Sequence, residues 1–148
     1  MRKRKTGKQK SPEVHIKTWG IYSRWDRDSK ELPQILERTL RVEAVIDVEF
    51  GMLVNIAGAK NRPLDFCIDH PGIRDDKGKV RRPFDGTVFV KTNDWDFYLG
   101  DTIWNPIEDK LGDWRMTLEL DGELIADKTF ELVLPLSLIH ISEPTRPY

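Results

Sequence analysis

The chain has one cysteine, Cys67, in 148 residues, so no internal disulfide can brace it. It has three histidines, too few for a histidine-rich metal tract, and no apolar run near the roughly 18 residues that span a bilayer. The first ten residues lack the apolar stretch of a secretory signal, so a cytoplasmic location is the expectation. Also missing is any sustained periodicity of a helix, in which apolar residues recur every three to four positions.

What is present is alternation. Leu40, Val42, Ala44, Ile46, Val48, Phe50, Met52, Val54 and Ile56 occupy every even position of one run, with Arg41, Glu43, Asp47, Glu49 and Asn55 among the odd ones. A period of two is the pattern of half-buried extended chain. At about 3.3 Å per residue the run would measure roughly 56 Å, far beyond an ordinary strand of about 20 Å, so it must break. A break near Asp47 to Glu49 would leave two strands sharing one inward parity.

Shorter strands are predicted around it. Val14 to Ser23 puts Val14 and Ile16 on one parity and Trp19 and Ile21 on the other, which requires a bulge near Thr18 to Gly20. Leu32 to Leu36 reads as a helical turn, with Pro33 limiting its start. Leu64, Phe66 and Ile68 face inward on a short strand, and Thr87 to Lys91 and Asp96 to Leu99 follow. Trp114, Met116, Leu118 and Leu120 alternate up to Asp121-Gly122, a pair suited to the two positive-φ positions of a type I′ turn, and Leu124 to Leu134 returns with Phe130, Leu132 and Leu134 on one face. The fold expected is all-β, an immunoglobulin-like antiparallel sandwich of seven or eight strands, with a barrel as runner-up.

Charge divides the chain. Arg2, Lys3, Arg4, Lys5, Lys8 and Lys10 make residues 1–12 a basic arm, expected to be disordered, while residues 13–135 form a single, net acidic domain that would repel phosphate. Nucleic acid or an anionic surface could therefore engage the arm only.

No catalytic or cofactor motif stands out, and no cofactor is expected. The densest stretch of chemistry-bearing residues is Asn93 to Trp104, where Asp94, Asp96 and Asp101 accompany Trp95 and Trp104. His70, Asp75 and Asp76 come from a second loop. These eight are the candidate binding residues. Loop carboxylates suit calcium, which takes six to eight oxygens, but neither Asp75-Asp76-x-Gly78 nor Asp26-x-Asp28 has EF-hand spacing, and turn formation is the expected role of these residues. Cys67 shares a face with Asp65 and Asp69, whose charges should raise its pKa. Trp25, Trp95 and Trp104 are the tryptophans that could serve a surface, and Trp114 belongs to the core. The expected function is a non-catalytic binding module for an unknown protein partner, presenting the loops around His70–Asp76 and Asp94–Trp104. The alternatives are a hydrolase or calcium-binding domain using loop carboxylates with His70.

Two resemblances frame this. Trp19-Gly20-Ile21-Tyr22-Ser23, Glu49-Phe50-Gly51, Ile68-Asp69-His70-Pro71, Asn93 through Trp104 and Gly112-x-Trp114-Arg115-Met116-Thr117 together resemble a bacterial family catalogued only as a domain of unknown function, number 3859, over Val14 to about Leu134. The resemblance implies no activity, cofactor or catalytic residue. Residues 136–148, through LSLIHISEPTR, resemble a translated sequencing-library adapter, which implies a non-native read-through tail and sets His140 aside as a ligand.

Overall fold

The computed structural model describes residues 11–26 and 28–136; the basic residues 1–10 and nearly all of the adapter-like tail lie outside the described residues. Alternation becomes strand throughout: β1 (Glu13–Tyr22), β2 (Ile35–Glu37), β3 (Arg41–Glu43), β4 (Glu49–Ala57), β5 (Pro63–Asp69), β6 (Phe84–Phe89), β7 (Asp94–Thr102), β8 (Gly112–Leu120) and β9 (Glu123–Val133). They form a four-stranded sheet ordered β2-β1-β4-β7 and a five-stranded sheet ordered β3-β9-β8-β5-β6. All pairings are antiparallel except β3 with β9. The fold is an immunoglobulin-like β-sandwich.

The long alternating run crosses from one sheet to the other. Residues 44–48 leave strand geometry, starting before the expected break, and Asp47 turns the backbone at φ 75°. A carboxylate side chain tolerates that left-handed region better than most. β3 therefore joins the five-stranded sheet and β4 the four-stranded one. Val42, Ala44, Phe50, Met52, Val54 and Ile56 keep their inward parity and are buried, whereas Leu40 and Ile46 are exposed.

The bulge in β1 lies between Ile16 and Thr18, one step ahead of its expected place, and it allows Val14, Ile16, Trp19 and Ile21 all to pack on the core. The helical turn expected at Leu32 to Leu36 does not form. Ser23 and Gln34 bind each other instead: the Ser23 amide donates to the Gln34 carbonyl at 2.8 Å and the Gln34 amide to Ser23 Oγ at 2.9 Å, so Ile35 enters β2 opposite Tyr22. β6 and β7 are longer than the expected strands, and Leu134 falls beyond the end of β9 and is exposed.

The β8–β9 hairpin turns on Asp121 (φ 52°) and Gly122 (φ 83°) as anticipated. Between the sheets, Phe50 meets Trp114 and Phe130 edge-on, with ring centroids 5.2 and 5.7 Å apart, and all three are fully buried. Each such side chain contributes on the order of 1.5–3 kcal/mol of transfer free energy. The Trp114 indole N–H, which could not be left unpaired there, donates to the Lys110 carbonyl at 2.7 Å.

Candidate functional site: a groove along the free edge of β7

β7 closes the four-stranded sheet on one side, and β6 closes the five-stranded sheet on the same side. Among the described residues β7 is paired by β4 alone, through an unbroken register from Asp94–Ala57 to Thr102–Glu49. Among the described residues no strand pairs with its other edge. Beside it the two sheets gape into an apolar cleft of about 380 Å³ lined by Phe66, Ile68, Phe84, Val88, Phe97 and Leu99. These side chains have inward parity on or near edge strands, and among the described residues no further strand covers them.

The segment linking β1 to β2 supplies a second wall. It is folded by short local bonds, the Asp28 amide to Asp26 Oδ1 at 3.0 Å and the Glu31 amide to Ser29 Oγ at 3.0 Å. It carries Trp25 across the outer face of the sheet until the indole stands edge-on to Tyr98 at 5.0 Å. Between this segment and β7 lies a wider cleft of about 690 Å³, with Trp25, Leu32, Trp95 and Phe97 as its apolar lining and Asp28, Lys30, Lys91 and Asp96 as its charges. Trp25, Phe97 and Tyr98 border both clefts, which join into one groove along the strand.

Beneath Trp25 the wall is held by a buried polar cluster. Glu49, only 3% exposed, accepts from the Tyr98 hydroxyl at 2.6 Å and from the Thr102 hydroxyl at 2.5 Å. Burial, and next the neighbouring Glu49 charge, hold the Tyr98 hydroxyl above the usual tyrosine range. Tyr22 stacks edge-on against Tyr98 at 4.9 Å, and its hydroxyl pairs with that of Thr18 at 2.6 Å. Gly20, Gly51 and Gly100 lie in register across three strands here. A Cβ on Gly100 would strike the Tyr98 hydroxyl and the Phe50 carbonyl, and one on Gly20 the Glu37 carbonyl.

Of the eight candidate residues, Trp95, Asp96 and Asp101 border the groove. Asp96 binds Lys17 Nζ at 2.9 Å and Asn55 Nδ2 at 2.8 Å; burial would raise its pKa, but those two partners outweigh it and the net shift is downward. Asp94, at the start of β7, accepts from the same Asn55 amide at 2.8 Å. The others stand past the far end of β7. His70 is buried and both ring nitrogens are bonded to backbone: Nδ1 accepts from the Ile73 amide at 3.0 Å, which leaves Nε2–H to donate to the Arg82 carbonyl at 3.1 Å. Asp75 accepts from the Lys77 and Lys79 amides at 2.9 and 3.0 Å, as an Asx turn does, and Asp76 is exposed beside it. Trp104 packs under Lys110 Nζ, 4.3 Å from the ring centroid, while that fully buried ammonium also binds Asp109 at 2.7 Å and the Pro106 carbonyl at 2.8 Å.

The pairing of His70 with loop carboxylates, on which the hydrolase alternative turned, is therefore not formed. Among the described residues no group of three or more histidine, cysteine or acidic side chains is arranged to hold a metal ion, and no helix is long and apolar enough to cross a membrane. Cys67 lies in a shallow dent of about 340 Å³ on the outer face of the five-stranded sheet, beside Asp65, Asp85 and Glu119. Its thiol is pushed up by burial first, then by Asp85 and Asp69.

Phe66, Phe84 and Val88 were not among the candidates. Their inward parity in the sequence reads as ordinary core, and only the absence of a covering strand turns them into a lining. Phe97 and Tyr98 sit inside the stretch that drew attention, and Trp25 was already marked.

A model of a protein family described as "Domain of unknown function (DUF3859)" matches residues 10–132. No curated protein matches. An immunoglobulin-like protein of Pseudomonas aeruginosa superposes with a TM-score of 0.66 at 22% identity, over 82% of this chain and 97% of that one. An alkylpurine DNA glycosylase of Pseudomonas fluorescens bound to abasic-site DNA gives 0.42 at 13% identity, over 81% of this chain and 30% of that one. A β-glucosidase of Listeria innocua with isofagomine gives 0.39 at 9%, over 82% and 16%. The first likeness supports the fold, and the other two are too distant to support more.

Proposed function

Because the chain belongs to the DUF3859 family, whose description names no activity, we propose from the groove alone that it is a non-catalytic interaction module that takes up an extended segment of a protein partner along β7. The observation that carries this is a nine-residue strand that, among the described residues, is paired on one side only, with an apolar cleft open beside it. An added strand would complete the hydrogen-bond ladder of β7, and its alternate side chains would enter the cleft against Phe66, Phe84 and Val88. Affinity would come from the backbone and selectivity from the cleft.

Selection of random-sequence peptides against the chain, followed by amide hydrogen exchange with a selected peptide bound, tests this. Slowed exchange confined to β7 and the Trp25 segment is expected, together with weaker binding by the Trp95→Ala variant. Protection elsewhere, or no enrichment of any peptide, would refute it.

A further inference from the structure

The buried imidazole of His70 braces one loop from the inside. Residues 71–82 leave β5 and return to β6 as two limbs, joined by the Arg74–Val80 bridge, by the Arg81 amide donating to the Ile73 carbonyl at 2.7 Å, and by a turn in which the Gly78 amide donates to the Asp75 carbonyl at 2.9 Å. His70 stands at the base, between the limbs. Its Nδ1 accepts from the Ile73 amide on one, and its Nε2 donates to the Arg82 carbonyl on the other. Ile73 is only 1% exposed, so its amide has no water to replace a lost acceptor.

The bond from Ile73 exists only while Nδ1 carries a lone pair. An imidazolium bears N–H at both nitrogens and accepts at neither, so a second proton would set N–H against N–H 3.0 Å apart in a buried site. Backbone occupies both nitrogens, and the charges on the surrounding elements are placed elsewhere. Asp69 and Arg115 face each other across β5 and β8 on the outer face, where Asp85 of β6 also lies. Within the loop Arg74 reaches the Gly78 carbonyl, Asp75 accepts from the turn amides, and Arg81 and Arg82 are exposed; the buried Lys110 is bound to Asp109 over Trp104. We infer that His70 is a proton-operated latch, in which uptake of a second proton and release of loop 71–82 are one event. The ring also packs on Phe84 at 5.0 Å, and Phe84 lines the apolar cleft beside β7, so release withdraws the backing of that wall. The latch does not depend on what the groove binds.

Heteronuclear NMR of the full chain tests this, through the imidazole nitrogens of His70 and amide exchange at Ile73. At neutral pH the proton should sit on Nε2 alone. Since the closed loop admits no second proton and an open one carries an ordinary histidine titrating at about 6.5, exchange at Ile73, corrected for the intrinsic effect of pH, should speed up about tenfold from about pH 7.5 to about pH 5.5. His70→Asn, whose amide oxygen can accept from Ile73 at any pH, should abolish the rise, and His15→Gln, at an exposed position on β1, should keep it. A His70 ring that takes its second proton while Ile73 stays protected would overturn the latch without need of any variant. The same acceleration in His70→Asn would overturn it too, and Phe84 ring signals unmoved through the transition would detach the cleft from it.

Discussion

Glu49 shows what a single position can hide. It occupies an odd, outward place in the alternating run, which in sequence reads as a solvated carboxylate. In the structure it is buried on the outer face because the Trp25 segment, Tyr22 and Tyr98 cover it. Period-two patterning reports which side of a strand a residue is on, not what later crosses that side. The Tyr98–Glu49 bond gives a testable pH dependence. Since the folded state holds the Tyr98 proton more tightly than the unfolded chain does, its contribution is complete below the unfolded tyrosine value of about 10 and is lost as pH rises beyond it. Urea denaturation at rising alkaline pH should therefore show stability falling above about pH 10. Tyr98→Phe should lose about 1–3 kcal/mol at neutral pH, because Glu49 forfeits a donor, and should flatten that alkaline decline.

Elements were more legible than their assignment to sheets. The β8–β9 hairpin could be read from alternation and one dipeptide, because both are local. The switch of the Leu40–Ile56 run between sheets could not, since β3 and β4 share one parity and only their partners, β9 and β1, distinguish them. The short β2 was mistaken for a helical turn for a related reason: its strand character comes from pairing with Tyr22, not from its own residues. The row of glycines across β1, β4 and β7 belongs to this scale too. Gly51 and Gly100 interrupt the patterns locally, but their meaning lies in being side by side. A methyl group at Gly100 would push Tyr98 off Glu49, so Gly100→Ala should cost about 1–3 kcal/mol in chemical denaturation and weaken any peptide bound at Trp25.

For the molecule as a whole, the all-β architecture and the buried Trp114 followed from pattern, while the groove did not, because it is made of segments far apart in the chain that meet only in the fold. Part of what composes it lies in the stretch rich in acids and aromatics, and Trp25 stands out in the sequence as well, whereas Phe66, Phe84 and Val88 are indistinguishable from core. Surface charge sets the acid response. Asp127 is held below the usual carboxylate range by the bidentate Arg115 bond, and Asp109 by Lys110 and the Arg74 amide against an opposing effect of burial. Groups lowered by folding stabilise above their unfolded value of about 3.9 and lose that contribution as pH falls through the folded one. Thermal midpoints should accordingly drop below about pH 4, and less steeply in Asp127→Asn.

β9 lies between β8 and β3, and β3 is the one strand that runs parallel to its neighbour. As a ribosome emits this chain, Val42 therefore waits for its sheet neighbour until β9 has emerged. The five-stranded sheet cannot be completed before β9 is made, and a chaperone that shields exposed apolar chain would stay engaged with β3 while the segments between them are synthesised.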